Sequence, residues 1–328
     1  MKTILYYNID DTLEYENQLL ETWKVPDVKL IEIKDPEHKK PFADCVRDTH
    51  AEGLVVEYEA VTKEVMDRCP DLKIVSLQSI GYNNIDVEEA TKHGICVCNI
   101  PGFCAREVAL HTIGFALDLT RQITFLDRTV QKGSWDPLIG YPMHRTEGQV
   151  FGMVFFGTIP KQMVPVLQAI GYRILVYAPT KTKEYLASFG CGKADTLDEL
   201  LEQADVVSMH CPLIQGVTDH MMGMEQFRKM KKTAFFINTA RGGVVCEEDL
   251  AEALRTHEIQ AAAVDVIEDE ATEKSRLVGL ENCIMTPHSA FLSEDSFYEG
   301  RERCLRHLVQ RLSVQEKPDD LVNPAVFS

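Results

Sequence analysis

Three charged side chains follow separate apolar runs in the last third of the chain, and their types together fit acid–base chemistry. Arg241, Glu270 and His288 each come within a few residues of the end of such a run. Oxidation of a secondary alcohol requires removal of the hydroxyl proton as hydride leaves carbon, and histidine titrates in the right range for that step. A carboxylate beside the imidazole favours its protonated form, while an arginine fork binds a carboxylate and polarises a carbonyl. Taken singly, these residues are typical of a surface arginine, an acid in a solvated loop and a structural histidine.

A single glycine, Gly157, lies in a turn with the sequence Phe155-Phe156-Gly157-Thr158-Ile159-Pro160. A nucleotide-binding turn needs glycine where the backbone approaches a pyrophosphate, because a side chain would hold the phosphates away from the N–H groups that begin the helix. The full fingerprint is GxGxxG, and only its middle glycine is present. Pro160 is tolerated in the first turn of a helix, although its bulk is expected to push the helix from the sheet. This segment alone leaves a working cofactor site and an empty remnant equally open.

The turn after the next apolar run, 173–177, lacks an acid. In a dinucleotide-binding fold, an acid roughly 20 residues after the glycines binds the ribose hydroxyls and repels a 2′-phosphate. This chain has Ala178-Pro179-Thr180-Lys181-Thr182-Lys183 at that place. Hydroxyl and lysine side chains such as Thr180 and Lys181 accommodate a phosphate dianion. An ordinary solvated turn with incidental lysines explains the segment equally well.

The elements that would position these residues alternate between short apolar runs and helical patterns almost throughout the chain. This alternation predicts parallel strands joined by right-handed helical crossovers. The predicted strands are Thr3–Tyr7, Gly53–Glu57, Ile74–Leu77, Cys96–Cys98, Met153–Phe156, Arg173–Tyr177, Val206–His210, Ala234–Asn238, Ala261–Val266 and Cys283–Thr286. A helical pattern between Phe103 and Trp135 is compatible with one continuous helix, which either packs under a sheet or connects two domains. A second α/β domain is expected to begin near Gly148.

The bulk composition is that of a globular protein with two domains. The chain has 328 residues and 45% hydrophobic content, which is more length than a single domain usually holds. Its formal charge of −17 is spread along the sequence and argues against binding to nucleic acid or an anionic membrane surface. Apolar stretches are too short for a membrane helix or a secretory leader. The ten cysteines form no CxxC pair, which favours reduced thiols in a cytoplasmic compartment over disulfides or metal binding.

Together these motifs resemble those of the D-isomer-specific 2-hydroxyacid dehydrogenase family, and the resemblance covers nearly the whole chain. In that family the arginine of an N-x-x-R-G motif, the glutamate after a D-V segment and the histidine of T-P-H are catalytic. Here these residues are Arg241, Glu270 and His288. The resemblance implies an NAD(P)-dependent dehydrogenase in which His288 exchanges a proton with the substrate. It also implies that Glu270 supports the imidazolium and that Arg241 holds the substrate carboxylate and carbonyl.

The resemblance implies further roles along the chain. The segment 78–86 resembles the family's substrate loop, whose backbone amides hold the substrate carboxylate. The resemblance gives that role to Ser79, Ile80 and Gly81. Phe103 is expected to face the cleft. The implied cofactor-binding residues are Gly157, Thr158, Ile159, Thr180, Lys181, Cys211, Pro212, Thr218, Thr239, Ala240 and Asp265. Among them, Asp265 matches the acid that commonly contacts the nicotinamide carboxamide. No metal site is expected.

The expected fold is α/β, with two Rossmann-like doubly wound parallel-sheet domains and a cleft between them. A discontinuous substrate-binding domain is expected from 1–101 and 295–328, and an NAD(P)-binding domain from 102–294. The resemblance implies a homodimer formed through the cofactor domain and the helix that begins near Phe103. The segment 78–86 has no arginine cluster that could bind a phosphate. Pyruvate, glyoxylate or hydroxypyruvate is therefore a better substrate candidate than phosphoglycerate.

Three positions depart from the family pattern and keep a second function open. Phe155 and Pro160 stand where the family has the first and third glycines, and Ala178 stands where it has the ribose-binding acid. These departures fit a noncatalytic dinucleotide-sensing or partner-binding protein, as in the family's C-terminal-binding transcriptional corepressors. The intact trio fits the enzyme. Binding of NADH and NADPH, followed by turnover on a panel of keto acids, distinguishes the two.

Overall fold

The computed structural model describes residues 1–9 and 11–327, which form two compact units. One unit comprises residues 1–103 and 293–328, and the other comprises residues 104–292. Strands and helices are numbered in chain order across both units. Among the described residues, no helix is both long and apolar enough to cross a membrane.

The first unit is built on a five-stranded parallel sheet with the order β2-β1-β3-β4-β5. Its strands are β1 (Lys2–Tyr7), β2 (Val28–Ile33), β3 (Gly53–Val56), β4 (Ile74–Leu77) and β5 (Cys96–Cys98). Its helices are α1 (Glu14–Trp23), α2 (Phe42–Asp48), α3 (Lys63–Arg68), α4 (Val87–Lys92) and α12 (Glu294–Val309), with short helical turns at Gln310–Val314 and Pro324–Phe327. Alternate residues of β1 enter two different hydrophobic clusters, so both faces of the sheet are covered.

The second unit is built on a seven-stranded parallel sheet with the order β12-β11-β10-β9-β6-β7-β8. Its strands are β6 (Val150–Val154), β7 (Arg173–Tyr177), β8 (Gly192–Lys193), β9 (Val206–Met209), β10 (Phe235–Asn238), β11 (Ala261–Val264) and β12 (Cys283–Met285). Its helices are α5 (Ala105–Arg121), α6 (Ile123–Gln131), α7 (Thr158–Ala169), α8 (Lys183–Ala187), α9 (Leu197–Gln203), α10 (Met224–Lys229) and α11 (Glu247–Arg255), with a 3-10 turn at Gly242–Val244. Two buried hydrophobic clusters flank this sheet as well.

The strand order of the second sheet changes direction beside β6. From β6 the chain moves outward to β7 and β8, and it then returns to lay β9 to β12 on the other side. In open parallel sheets, ligands bind outside the carboxyl ends of the strands at such a reversal. The architecture confirms the prediction of two doubly wound parallel-sheet α/β units.

The predicted continuous helix between Phe103 and Trp135 is wrong. The helix ends at Arg121, because Gln122 adopts a left-handed conformation with φ of 55°, and α6 begins at the next residue. The Asp118 carboxylate fixes this break by accepting a hydrogen bond of 2.7 Å from the backbone N–H of Thr124. Periodicity continues through such a break, so the apolar spacing gave no sign of it.

Strand bounds also differ from the prediction at several places. The strand predicted at Met153–Phe156 begins at Val150 and ends at Val154, because its pairing with β7 starts three residues earlier. Two strands were not predicted at all. The edge strand β2 has two exposed charged residues, Lys29 and Glu32, and β8 has only two residues, so neither has a strong apolar pattern.

Candidate active site

Arg241, Glu270 and His288 follow β10, β11 and β12, which are neighbours in the sheet of the second unit. Since the strands are parallel, their carboxyl ends lie at one edge of that sheet. The fold therefore brings together three side chains that are separated by up to 47 positions along the sequence, from 241 to 288. This is the edge at which an open α/β sheet binds its ligand.

The side chain of Asn238, the last residue of β10, shapes the turn that carries Arg241. Its Oδ1 accepts a hydrogen bond of 3.0 Å from the N–H of Ala240, and its Nδ2 donates one of 2.9 Å to the carbonyl of Arg241. The next residue, Gly242, has no room for a side chain, because a Cβ would collide with the backbone carbonyl of Ile267. This close backbone approach ties the arginine turn to the loop that carries Glu270.

Glu270 and His288 form an ion pair at the same edge. The Nδ1 of His288 lies 2.9 Å from Oε2 of Glu270, and the two side chains are 36% and 40% exposed. Burial opposes ionisation of Glu270, but the hydrogen bond from His288 and the positive charges of His288 and Arg241 hold the pKa of Glu270 below its ordinary value. The Nε2 of His288 has no hydrogen-bond partner among the described residues. This ring nitrogen is therefore free to donate or accept a proton.

The backbone at His288 is held in an unusual conformation. Its φ is 50°, in the left-handed region, and its N–H donates a hydrogen bond of 2.7 Å to the carbonyl of Asp265. The Asp265 carboxylate is almost completely buried and accepts hydrogen bonds from the Thr286 hydroxyl and from the N–H groups of Ser289 and Ala290. One acid thus fastens both sides of the turn that presents His288.

His111 on α5 adds a further contact to this turn, which sequence reasoning missed. Its Nε2 lies 3.0 Å from the hydroxyl oxygen of Thr286 and 3.9 Å from the nearer carboxylate oxygen of Asp265. Because the single hydroxyl proton of Thr286 points to Asp265, His111 is the donor in its bond to Thr286. A signal was available in the sequence, since His111 lies on the same helical face as the apolar residues Val108 and Phe115.

The turn after β6 fits a dinucleotide pyrophosphate. A Cβ on Gly157 would meet no atom within 4 Å, so the space that a phosphate needs is open. Among the described residues, the N–H groups of Gly157, Thr158 and Ile159 have no hydrogen-bond acceptor, and all three lie at the start of α7. Pro160 is buried and offers no N–H. Phe155 adopts φ of 73°, which is the left-handed conformation that favours glycine at this position.

The other predicted cofactor residues lie after the strands beside this turn. Thr180 and Lys181 lie in the turn after β7, where the side chain of Ala178 is buried. Cys211 and Pro212 follow β9. Each of these turns ends at the same edge of the sheet as Gly157.

Two of the predicted threonine contacts have partners within the protein. Thr218 is fully buried, and its hydroxyl donates to the Pro212 carbonyl at 2.5 Å and accepts from the Ile214 N–H at 2.7 Å. The Thr239 hydroxyl is buried and lies 2.8 Å from the hydroxyl of Thr112 on α5. Both side chains therefore hold backbone segments of the site, and direct contact of either with a cofactor stays a prediction.

In the first unit, the predicted substrate loop follows β4 and presents unpaired backbone donors. The carbonyls of Ser79, Ile80 and Gly81 accept hydrogen bonds from the Ile100 N–H, the Asn99 side chain and the Ser79 hydroxyl. The N–H groups of these three loop residues have no hydrogen-bond acceptor among the described residues. Such a set of free amides suits a carboxylate. The fourth predicted residue, Phe103, is half-buried at the end of the first long segment of this unit.

Comparison with known proteins agrees with this geometry. Residues 113–290 match the protein family described as D-isomer specific 2-hydroxyacid dehydrogenase, NAD binding domain. The chain is 36% identical over 306 residues to glyoxylate reductase of Thermofilum pendens, covering 92% of this chain and 89% of that protein. It is 31% identical over 269 residues to hydroxypyruvate reductase of Blautia hydrogenotrophica, covering 80% and 81%.

A solved structure of a D-lactate dehydrogenase matches the fold of this chain over almost its full length. The D-lactate dehydrogenase from Aquifex aeolicus, complexed with NAD and lactic acid, is 26% identical and superposes with a TM-score of 0.83, covering 97% of this chain and 98% of that one. The family match spans more than half of the 328 residues. The chain therefore belongs to the D-isomer specific 2-hydroxyacid dehydrogenase family, and it is an NAD(P)-dependent oxidoreductase.

Proposed function

We propose that the chain reduces a small 2-keto acid to the D-2-hydroxy acid and catalyses the reverse reaction, with Arg241, Glu270 and His288 as its catalytic residues. The observation that carries this proposal is the His288–Glu270 ion pair, with Arg241 acting on the same carboxylate. A proton donor, its supporting carboxylate and a cation for the substrate are the groups that carbonyl reduction needs.

The bound nicotinamide supplies or accepts the hydride at C2 of the substrate. The free N–H groups of Gly157, Thr158 and Ile159 hold the pyrophosphate, since they begin a helix and have no partner within the described part of the protein. The remaining contacts carried over from the family are those of Thr180, Lys181, Cys211, Pro212, Thr218, Thr239, Ala240 and Asp265. We assign the unit 104–292 to the cofactor and the unit 1–103 with 293–328 to the substrate.

The substrate is anchored by its carboxylate. The unpaired N–H groups of Ser79, Ile80 and Gly81 bind the carboxylate oxygens, and the Arg241 guanidinium binds the carboxylate and the neighbouring carbonyl. The positive charge of Arg241 stabilises the negative charge that grows on the carbonyl oxygen during reduction. Phe103 contacts the substrate side chain.

The proton comes from the free ring nitrogen of His288. In reduction, Nε2 of the imidazolium donates its proton to the substrate oxygen, while Nδ1 keeps its hydrogen bond to Glu270. The carboxylate of Glu270 stabilises the imidazolium before the transfer and fixes which ring nitrogen carries the reacting proton. In oxidation the same nitrogen accepts the hydroxyl proton.

The substrate is a small keto acid such as glyoxylate, hydroxypyruvate or pyruvate. Relatives named glyoxylate reductase and hydroxypyruvate reductase align along most of the chain, which supports this choice. The loop 78–86 contains no arginine or lysine, so it lacks the cations that a phosphorylated substrate would require.

Turnover of a keto-acid panel by the His288→Ala variant tests the proposal. The variant should bind NAD(P)H normally and lose roughly 10²–10⁴-fold in kcat, because a positioned general acid contributes about that much. His220→Ala is the matched control, since His220 also forms an ion pair, with Glu268 at 2.7 Å. Equal rates for wild type and the His288 variant across the pH range would contradict the assignment.

A noncatalytic dinucleotide sensor is the second candidate. Phe155 and Pro160 favour it, because both replace glycines of the pyrophosphate turn. The free amides of that turn favour binding in either case. A protein that binds NADPH or NADH but turns over no keto acid of the panel would support the sensor and exclude the enzyme.

We also propose a homodimer formed through α5 and α6. Large apolar side chains on these helices and on the segment after them are exposed, which marks an interaction surface: Leu110, Leu117, Ile123, Val130, Trp135, Leu138 and Met143. Trp135 and Leu138 are 87% and 90% exposed. Sedimentation of Trp135→Glu with Leu138→Glu should give a monomer where wild type gives a dimer. A monomeric wild type would exclude this assembly.

The free cysteines favour a cytoplasmic location. All ten cysteines are free in the structure, and nine of them are buried. Reduced thiols persist in a reducing compartment, whereas an oxidising one favours disulfides. Fractionation of cells that produce the chain checks this location.

A further inference from the structure

The loop that carries Glu270 has little packing of its own. It belongs to the connection between β11 and β12, residues 265–282, which consists of turns, bends and irregular backbone. Residues 268–274 are all exposed, and Leu277 is the next buried residue. Because few apolar contacts fix this exposed segment, the position of Glu270 relative to His288 depends on polar anchors at the two ends of the segment.

One buried carboxylate supplies an anchor at both ends. Glu247 is the first residue of α11 and is 7% exposed. Its Oε2 accepts a hydrogen bond of 3.3 Å from the N–H of Glu268, and its Oε1 accepts one of 2.7 Å from the N–H of Arg276. Neither of these N–H groups has another acceptor among the described residues. Glu247 therefore fixes the backbone just before Glu270 and again after it.

The contact between α11 and the loop is reciprocal. The Glu268 carboxylate accepts a hydrogen bond of 3.1 Å from the N–H of Glu247, which is one of the N–H groups that the start of a helix leaves unpaired. One residue earlier in the loop, the Ile267 carbonyl approaches Gly242 so closely that a Cβ on the glycine would collide with it. These adjacent contacts hold the loop against the segment that joins Arg241 to α11.

The two other acids at the start of α11 have different contacts. A run of acids is typical of a helix start, because negative charge is favourable near the unpaired N–H groups. Glu248 is exposed and reaches the loop only through an ion pair of 3.8 Å with the Arg276 side chain. Asp249 accepts a hydrogen bond of 2.9 Å from the N–H of Met224. A helix start alone does not require a buried carboxylate such as Glu247, which bonds two N–H groups outside its own helix.

We propose that Glu247 is a positioning residue for the reaction, which keeps Glu270 within hydrogen-bond reach of His288. The Glu270 carboxylate lies 2.9 Å from Nδ1 of His288, and the attraction between such groups weakens as they separate. Glu247 thus acts through Glu270 and not on the substrate. This inference rests on the proposed function, because it requires Glu270 to support the imidazolium.

A double-mutant cycle with Glu247→Gln, Glu270→Gln and both together tests the proposal. The assay is reduction of whichever of glyoxylate, hydroxypyruvate and pyruvate turns over fastest. Glutamine has one oxygen, so its NH₂ group faces one of the two loop N–H groups, and that donor loses its acceptor. Glu252→Gln is the matched control, because Glu252 is an exposed glutamate of the same helix whose carboxylate lies 4.0 Å from Arg255.

Glu247→Gln should lower kcat about as much as Glu270→Gln does, up to about fivefold, with the Kd for NAD(P)H unchanged within about twofold. The double variant should be as slow as Glu270→Gln and no slower, because the position of the loop stops mattering once its carboxylate is gone. In the free Glu247→Gln protein, the N–H of Glu268 or of Arg276 should exchange with solvent about tenfold or more faster. Glu252→Gln should behave as wild type.

Losses that multiply in the double variant would overturn the proposal, because Glu247 would then act independently of Glu270. Unchanged exchange of both N–H groups would overturn it as well. A wild-type kcat for Glu270→Gln would overturn both the proposal and the role assigned to Glu270, and a wild type that reduces none of the keto acids would overturn the proposed function itself.

Melting temperatures within a few degrees of wild type separate these results from misfolding. If Glu247→Gln does not fold, Glu268→Ala takes its place in the cycle, because Glu268 is exposed and its carboxylate makes the reciprocal bond to α11. Its loss of kcat should likewise disappear in the Glu270→Gln protein, and a loss that persists there would overturn the proposal.

Discussion

Replacing Asp265 by asparagine should release the turn that presents His288. The aspartate carboxylate accepts three hydrogen bonds, from the Thr286 hydroxyl, the Ser289 N–H at 2.9 Å and the Ala290 N–H at 2.9 Å. An amide has one oxygen, and its NH₂ group can only donate. If the oxygen keeps facing Thr286 and Ser289, the NH₂ group faces the N–H of Ala290, and that buried donor loses its acceptor.

The cost of this change follows from the burial of the group. Asp265 is 2% exposed and Ala290 is 4% exposed, so water cannot replace the lost acceptor. An unsatisfied buried donor costs about 1–3 kcal/mol. The two remaining bonds change from charged to neutral acceptors, which lowers each by roughly 1 kcal/mol. The turn should therefore lose about 3–5 kcal/mol of local stability in total.

Hydrogen exchange followed by mass spectrometry measures this loss without cofactor or substrate. Exchange in a peptide covering 286–292 should accelerate by more than about 100-fold, at roughly 1.4 kcal/mol for each factor of ten. The kcat for keto-acid reduction should fall with it. Asp269→Asn is the matched control, because Asp269 is an exposed acid of a neighbouring loop that bonds only to Thr272 among the described residues.

The same assay separates two roles for Asp265. The family resemblance gives it a contact with the nicotinamide carboxamide, whereas the structure shows it fastening the turn. A residue that only contacts cofactor would weaken NAD(P)H binding and leave exchange in the free protein unchanged. Unchanged exchange at 286–292 in the Asp265→Asn protein would therefore refute the fastening role.

Three further predictions concern the ion pair, the pyrophosphate turn and α5. Glu270→Gln removes the carboxylate that pairs with the ring of His288, so kcat for reduction should fall by up to about fivefold, because an exposed pair is worth up to about 1 kcal/mol. The pKa of Glu270 is held below its ordinary 4.5. Its ion pair therefore adds stability above that pH, and the melting difference between wild type and variant should vanish as the pH falls through the lowered pKa. The double variant Phe155→Gly with Pro160→Gly should bind NAD(P)H about tenfold or more tightly in calorimetry, because the turn gains one N–H and loses its strain. Its kcat at saturating cofactor should be nearly unchanged. Equal or weaker binding would show that the pyrophosphate lies elsewhere. His111→Ala should lower kcat several-fold with little change in the Kd for NAD(P)H, while His111→Gln, which keeps an N–H donor, should restore most of the rate.

Sequence patterns predicted most of the strands because buried parallel strands are apolar on both sides. The runs at 74–77 and 173–177 are mostly apolar, and their bounds match the structure. The edge strand Val28–Ile33 lies outside this rule, since the exposed charged residues Lys29 and Glu32 interrupt its apolar run. The break at Gln122 depends on a side-chain hydrogen bond six residues apart, from Thr124 to Asp118, which periodicity does not register.

The candidate site was predictable only where residue type and strand order suffice. His288 follows a strand end and carries a titratable ring, and the sheet order then brings it to Glu270. The contact between His111 and Thr286 joins residues 175 positions apart. No local pattern encodes such a pair, because it depends on how α5 packs against the end of β12.

The pyrophosphate turn keeps the backbone conformation of the family's glycine turn although its sequence differs. Phe155 replaces a glycine, and a damaged turn was the natural expectation. Yet its N–H donates a hydrogen bond of 2.7 Å to the Tyr177 carbonyl, and its φ of 73° is the conformation that a glycine would adopt. An L-residue in that conformation costs about 1–2 kcal/mol, which the packing of the Phe155 ring against the core partly offsets. Phe155 therefore strains the backbone but leaves the conformation of the turn unchanged. Gly157 keeps the open space in which a phosphate can approach the start of α7.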